Sequence, residues 1–231
     1  MEHLLLLHGA IGAKDQLQPL AEQLADRYTT HCINFTGHGG NSIPGDSFSI
    51  PLFATQVLSY LEENNIDKAN VFGYSMGGYV AMYLAKNSPE KINKCITLAT
   101  KYYWDETVAA KEAKKLDPAI IQQKIPAFAE QLKQRHAPQD WEAVLNKTAE
   151  LLLNLGKNNA LQLTDYPSVN IPVLLLLGDR DKMITLEETI NVYKQLPSAE
   201  MAMLPGTPHP IEQVDGSLLK FLINKFLEKA N

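Results

Sequence analysis

The segment Gly73-Tyr74-Ser75-Met76-Gly77 places a serine between two glycines at a spacing that favours nucleophilic chemistry. The apolar run before it is typical of a strand, and the small apolar residues after it are typical of a buried helix. A serine on such a strand-to-helix turn is held in a strained backbone conformation, with its hydroxyl exposed above the sheet. The helix N-terminus also favours a nearby developing negative charge. The pattern predicts that Ser75 is a nucleophile; the alternative is a serine that only caps the helix.

The elements that would position this serine follow from the alternation of short apolar runs with helical patterns. Predicted strands are 4–7, 31–35, 69–72, 92–99, 173–177 and 200–204, and predicted helices are 14–27, 51–64, 77–86, 186–195 and 215–228. Near-continuous apolar runs are typical of strands buried in a parallel sheet. The alternation therefore predicts an α/β fold with a mostly parallel sheet of about six strands, flanked by helices.

Residues 100–168 interrupt this alternation. They contain no strand-like run, and their apolar residues recur at helical spacing among Lys, Glu, Gln and Ala. A plain loop of this length would be unusual in a compact domain. We expect three or four helices here, forming a helical cap or lid (100–168) on a core made of residues 1–99 and 169–231.

Five segments together resemble the α/β-hydrolase superfamily. They are His8-Gly9-Ala10-Ile11-Gly12, Gly37-His38-Gly39, the Ser75 segment, Gly178-Asp179-Arg180-Asp181 and Pro208-His209. The resemblance covers nearly the whole chain outside the insertion. It implies the α/β-hydrolase fold, here lacking the family's first hairpin, because the chain starts at what looks like the third strand.

The resemblance also implies a catalytic triad in the chain order serine, acid, histidine. Ser75 would be the nucleophile, and His209 would be the base because it alone of six histidines follows the last predicted strand. Asp179 and Asp181 both lie in the segment that resembles the acid-bearing loop. The family's spacing favours Asp181, which leaves Asp179 to shape the loop, but both stay open as the acid; the alternative is a pair of surface carboxylates.

An acyl-transfer site needs two backbone donors for the oxyanion of the tetrahedral intermediate. The first candidate is the amide of Met76, directly after the nucleophile. The second lies in the loop after His8-Gly9, with Ala10 favoured over Ile11. This chemistry requires no metal or organic cofactor, and no grouping of His, Cys and Asp has the spacing of a zinc site.

Aromatic residues at the start of the insertion are candidate substrate contacts. Tyr102, Tyr103 and Trp104 open it, and Ile11 lies in the loop opposite. An apolar lid over a serine would suit a small, largely apolar acyl or alcohol group. The alternative is that these side chains only pack the insertion onto the core.

Composition excludes several classes of partner. The net charge is −5 and the pI is about 5.7, which argues against a nucleic-acid partner. No apolar run is long enough to span a membrane, and the N-terminus lacks the basic start of a signal peptide. Cys32 and Cys95 are too few for a disulfide framework. We expect a cytoplasmic protein, and no pattern assigns its oligomeric state.

The sequence thus favours a serine hydrolase that cleaves carboxylic esters or thioesters of small molecules through an acyl-enzyme. Two alternatives stay open because one fold hosts many activities. The first is a C–C bond hydrolase or lyase, which would need a cationic pocket for an acidic substrate. The second is a ligand-binding receptor that retains the triad.

Overall fold

The structure, a computed structural model, describes residues 1–229 and contains one six-stranded sheet in that range. The strands are β1 (Glu2–Leu7), β2 (Tyr28–Ile33), β3 (Ala69–Tyr74), β4 (Ile92–Leu98), β5 (Val173–Gly178) and β6 (Ala199–Leu204). They pair in the order β2-β1-β3-β4-β5-β6, and every pairing is parallel. The expected α/β-hydrolase fold with about six strands is confirmed.

The second strand begins three residues earlier than predicted, at residue 28 instead of 31. β2 begins at Tyr28 because the aromatic and β-branched residues Tyr28, Thr29 and Thr30 suit a pleated sheet. It ends at Ile33 because the next side chain turns to local loop bonds. The Asn34 side chain accepts from the Lys14 amide at 2.7 Å and donates to the Gly39 carbonyl at 3.0 Å.

Within the described residues the helices number nine. They are α1 (Gln18–Leu24), α2 (Ile50–Glu63), α3 (Met76–Asn87), α4 (Glu106–Ala113), α5 (Pro118–Lys124), α6 (Pro126–His136), α7 (Trp141–Lys157), α8 (Leu186–Gln195) and α9 (Gly216–Leu227). Four of them, α4 to α7, lie between β4 and β5, where the sequence predicts three or four helices. None of the helices within residues 1–229 has the length and apolar character needed to span a bilayer.

Helices cover both faces of the sheet, which explains its continuous apolar strands. Leu4 and Leu6 of β1 pack in a core with α1 and α9, while Leu5 and Leu7 pack in a second core with α2, α3, α7 and α8. All four leucine side chains are fully buried. Successive strand residues point to opposite faces, so a strand buried on both sides must be apolar at every position.

The strand order creates a crevice at one edge of the sheet. The chain passes from β1 to β2 on one side and then crosses to β3 on the other side of β1. Ligands of open parallel sheets bind at such a switch point, beyond the carboxyl ends of the strands. Here the loop 8–13 leaves β1 and Ser75 leaves β3, so both reach the same crevice.

The N-terminal turn of α3 packs against the backbone at the end of β1. A Cβ atom added at Gly77 would lie 2.2 Å from the Leu7 carbonyl oxygen and 2.6 Å from that of His8. Neither backbone oxygen can move without disturbing the sheet. Glycine is therefore the residue that permits this approach.

We expect Gly77→Ala to lower the free energy of unfolding by about 1–3 kcal/mol or more, since overpacking forces backbone shifts. Gly45→Ala is the matched control, because a Cβ at Gly45 meets nothing within 4 Å. Its unfolding free energy should stay within about 1 kcal/mol of wild type. Urea denaturation of the three proteins measures both values, and equal stabilities would contradict the close approach.

Candidate active site

Ser75 occupies the turn between β3 and α3 in a left-handed backbone conformation. Its φ is 52° and its ψ is −116°, a region that a residue with a side chain rarely adopts. The Ser75 amide donates to the Leu98 carbonyl at 2.8 Å, and its own carbonyl accepts from the Gly78 amide at 3.0 Å. A Cβ at Gly73 would lie 2.3 Å from the Gly77 carbonyl oxygen, so the turn closes only with glycine there.

His209 and Asp181 form a close hydrogen bond beside this turn. The distance from His209 Nδ1 to Asp181 Oδ2 is 2.7 Å. The second carboxylate oxygen, Oδ1, accepts from the Met183 and Ile184 amides at 2.7 and 2.9 Å. Burial alone would raise the pKa of the Asp181 carboxyl, but His209 and these amides outweigh burial and lower it. Asp181 is thus ionised at neutral pH and holds the Nδ1 side of the imidazole.

Asp179 has a different environment from Asp181. Its Oδ1 atom accepts from the Thr207 amide at 3.2 Å, and the Arg180 guanidinium lies 3.8 Å away. These contacts join the loop after β5 to the loop that carries His209. The geometry gives Asp181 the bond to His209 and gives Asp179 a loop-shaping contact.

Tyr74 connects the serine turn to the histidine loop. Its hydroxyl donates to the His209 backbone carbonyl at 3.1 Å, and the two rings lie 5.6 Å apart between centroids. Burial raises the pKa of the Tyr74 phenol above its usual value, so the hydroxyl keeps the proton that it donates. Because Tyr74 directly precedes Ser75, the same turn positions both side chains.

The loop after β1 is held by hydrogen bonds on both sides of Ala10. The Gly9 carbonyl accepts from the Gly12 amide at 3.1 Å and from His8 Nδ1 at 2.8 Å. Ile11 has a φ of 52°, and its carbonyl lies 3.1 Å from His136 Nε2. His136 Nδ1 accepts from the Gly39 amide at 3.2 Å, so Nε2 carries the proton and donates to Ile11. The insertion thus holds this loop through His136, on helix α6.

Two cavities meet at Ser75. The outer cleft has a volume of about 1090 Å³ and is lined by residues including Ser75, His209, Ile11, Phe128 and Arg135. The inner pocket has a volume of about 90 Å³ and is lined by residues including Ser75, Ala10, Met76, Trp104, Leu152 and Leu155. The Met76 amide is the first of α3, so no acceptor within the helix is available to it. Ala10 and Met76 thus both line the inner pocket together with Ser75.

The predicted substrate contacts divide into two groups. Ile11 lines the outer cleft and Trp104 lines the inner pocket, each together with Ser75. Tyr102 is buried, with its hydroxyl 2.6 Å from Thr97 Oγ1, and Tyr103 is exposed. Both tyrosines line a separate cavity of about 620 Å³ on the far side of Trp104. The structure does not bring them to the cavities that contain Ser75.

Three residues at or next to the site, Met183, Arg135 and His136, belong to no sequence motif that could have predicted their position there. Met183 lines both cavities, and only its position two residues after Asp181 could have indicated it. Arg135 of α6 lines the outer cleft, where its guanidinium lies 3.2 Å from Asp15 and 3.8 Å from Glu212. His136, the third, looks in the sequence like any residue of a polar helix. No group of three or more His, Cys, Asp or Glu in the described part of the chain could hold a metal ion.

Three buried histidines, His8, His38 and His136, lie behind the loop that carries Ala10. The ring centroids of His8 and His38 are 5.2 Å apart, and those of His38 and His136 are 5.7 Å apart. Burial lowers the pKa of His8 to about 3 and lowers the pKa of the other two below the usual value. All three are therefore neutral in the folded protein at physiological pH, which preserves the bonds that each accepts or donates.

We expect acid to destabilise the fold through this cluster. Below a pH of about 6.5 the unfolded chain binds protons at these histidines while the folded chain does not, so stability falls as pH falls. His38→Phe should reduce the slope of unfolding free energy against pH by about 1.4 kcal/mol per pH unit between pH 6 and 4. Urea denaturation at each pH measures it. His3→Phe, outside the cluster, is the control, and a wild-type slope in His38→Phe would contradict the explanation.

Comparison with known proteins identifies the family of this chain. The family model described as alpha/beta hydrolase fold matches residues 2–149. A Haemophilus influenzae protein, provisionally named an esterase/lipase, is 24% identical over 242 residues, covering 98% of this chain and 83% of that protein. A Bacillus subtilis protein, provisionally named 2-succinyl-6-hydroxy-2,4-cyclohexadiene-1-carboxylate synthase, is 24% identical over 250 residues, covering 98% and 90%. The solved enol-lactonase from Burkholderia xenovorans LB400 superposes with a TM-score of 0.79 at 17% identity, covering 99% and 92%. This chain belongs to the α/β-hydrolase fold family.

Proposed function

We propose that the protein hydrolyses carboxylic esters or thioesters of small molecules, with Ser75 as nucleophile, His209 as base and Asp181 as acid. The observation that carries the proposal is the 2.7 Å bond from His209 Nδ1 to a buried, ionised Asp181, beside a serine on a strained turn. Asp181 fixes the imidazole tautomer that leaves Nε2 free to accept a proton. The esterase/lipase name of the Haemophilus influenzae relative supports the same activity.

The proposed reaction follows the order of proton transfers in such a triad. His209 Nε2 takes the Ser75 hydroxyl proton while Ser75 Oγ attacks the substrate carbonyl carbon. The amides of Ala10 and Met76 stabilise the oxyanion of the tetrahedral intermediate. His209 then gives its proton to the leaving oxygen or sulfur, and the acyl-enzyme forms. A water that loses its proton to His209 then attacks the acyl carbonyl, and His209 returns that proton to Ser75 Oγ as the bond to the serine breaks and the acid leaves. This chemistry requires no metal or organic cofactor.

We also propose that residues 100–168 act as a cap over a core of residues 1–99 and 169–231. Helices α6 and α7 supply walls of the two cavities: Phe128 and Arg135 come from α6, and Leu152 and Leu155 come from α7. Such walls exclude water from the reacting atoms, which strengthens the electrostatic stabilisation of the oxyanion.

The second candidate is a lyase or C–C bond hydrolase, which the name of the Bacillus subtilis relative suggests. An acidic substrate would need unpaired cations near Ser75. Two cations, Arg135 and Lys14, line the outer cleft, and so do two carboxylates, Asp15 and Glu212. Arg135 lies close to both carboxylates, so the positive and negative charges of the cleft balance. Lys101, at the inner pocket, lies 3.3 Å from Glu188. This pairing favours an uncharged ester or thioester. The two retained triad partners of Ser75 favour an enzyme over a receptor.

We expect Ser75→Ala to lose at least about a thousandfold of kcat on short p-nitrophenyl esters, because the acyl-enzyme cannot form. A fluorophosphonate probe should label wild-type Ser75, as peptide mass spectrometry would show. If folded wild-type protein is neither labelled nor active on any ester or thioester, the nucleophile assignment is wrong. Labelling without turnover would instead favour the lyase or the receptor.

A matched pair of variants tests which aspartate is the acid of the triad. Asp181→Asn keeps the shape but removes the charge opposite His209 Nδ1, so kcat should fall by about ten-thousandfold. Asp179→Asn changes only the contacts to the Thr207 amide and the Arg180 guanidinium and should retain activity within about tenfold. Steady-state kinetics on one ester measures both variants. The reverse order of losses would make Asp179 the acid.

A further inference from the structure

The two cavities at Ser75 differ sharply in size and polarity, and this difference can assign the two halves of a substrate. We propose that the inner pocket receives a short apolar acyl group and that the outer cleft receives a bulky polar alcohol or thiol. This inference rests on the proposed function, since it names the substrate class of the same site.

The position of His209 determines which half enters which cavity. His209 must protonate the leaving oxygen or sulfur, so the leaving group has to extend on its side of Ser75. His209 and the following Pro210 line the outer cleft. The inner pocket is lined by neither of them; Met76 and a set of apolar side chains line it, while Ala10, whose amide would hold the oxyanion with that of Met76, lines both cavities. The acyl chain therefore extends inward, and the leaving group extends outward.

The inner pocket limits the length of the acyl chain. Its volume of about 90 Å³ equals roughly three groups the size of a water molecule, at ~30 Å³ each. Its exposed wall is almost entirely apolar and includes Leu151, Leu152 and Leu155 of α7. The charged residues at its edge are paired: Lys115 lies 2.6 Å from Glu112, and Lys101 lies 3.3 Å from Glu188. An apolar acyl group of about two to four carbons fits this space.

The outer cleft suits a larger and more polar group. At about 1090 Å³ it exceeds the inner pocket more than tenfold. Its wall carries the side-chain amides of Gln131, Gln134 and Gln213, and an amide can both donate and accept. Its charged side chains include two cations and two carboxylates, which favours a polar group without a large net charge. A chain of amides and hydroxyls on the leaving alcohol or thiol has this chemistry.

A series of thioesters with one thiol tests the acyl half, and a shortened thiol tests the leaving half, with little change in the reactivity of the thioester bond. In acetyl-, butyryl-, hexanoyl- and octanoyl-pantetheine only the acyl chain varies. We expect kcat/KM to be highest for acetyl or butyryl and to fall by about tenfold or more for octanoyl, because the extra methylenes find no space. Butyryl-N-acetylcysteamine keeps the thiol head but lacks the polar tail. Its kcat/KM should be about tenfold below that of butyryl-pantetheine.

Two leucines of α7 provide matched variants. Leu152 lines the inner pocket, whereas its neighbour Leu153 is 41% exposed and does not line that pocket. Leu152→Ala should raise the octanoyl-to-butyryl ratio of kcat/KM by about tenfold, since it lengthens the pocket. Leu153→Ala should leave that ratio unchanged. Leu152→Val, a milder change, serves if the alanine variant fails to fold, as judged by fluorophosphonate labelling and thermal unfolding.

The possible results separate this inference from the proposed function. If the wild-type protein is neither labelled by the fluorophosphonate nor active on any thioester, the proposed function is overturned. Turnover with the opposite preference, for octanoyl chains and for the short thiol, would overturn the assignment of the cavities while leaving the nucleophile intact. An octanoyl-to-butyryl ratio that Leu152→Ala and Leu153→Ala change equally would also overturn it.

Discussion

The left-handed backbone of Ser75 is the constraint on which the rest of the site depends. Such a conformation costs about 1–3 kcal/mol and persists only where the surrounding structure enforces it. Here β3 is buried throughout and α3 is buried over most of its length, and the amide and carbonyl of Ser75 are hydrogen-bonded to Leu98 and Gly78. The turn therefore cannot relax without separating a central strand from its helix. The stability of the sheet thus maintains the exposed position of the hydroxyl.

The same rigidity extends to His209, which lines the outer cleft together with Ser75. Tyr74 holds the backbone of His209, and Asp181 holds its ring. Burying a carboxylate is costly unless charge or hydrogen bonds compensate it. Two backbone amides and the imidazole supply three hydrogen bonds to Asp181. Together they lower the pKa of its carboxyl although burial acts to raise it. The loops after β5 and β6 are joined through these contacts.

Local patterns could be read from the sequence, and long-range packing could not. The strands were predictable because burial on both faces makes each one apolar throughout, and the Ser75 turn because only glycine fits two residues before and after the serine. The helix predicted at 14–27 is in fact a 3-10 turn, Lys14–Gln16, followed by α1 with a proline in its first turn. The aromatic segment 102–104 gave no indication that Trp104 alone would reach Ser75, because that depends on how the insertion packs.

Helix α6 is coupled to the loop after β1 more closely than their separation in the sequence suggests. Through His136, helix α6 holds the carbonyl of Ile11 and the amide of Gly39, and through Arg135 it contacts Asp15 and Glu212. These contacts lie on both sides of the outer cleft. A change at this end of α6 would therefore alter the shape of the cleft and the position of the Ala10 amide together. Under the proposed function, substrate range and oxyanion stabilisation would therefore both depend on this end of α6 and would change together when it is altered.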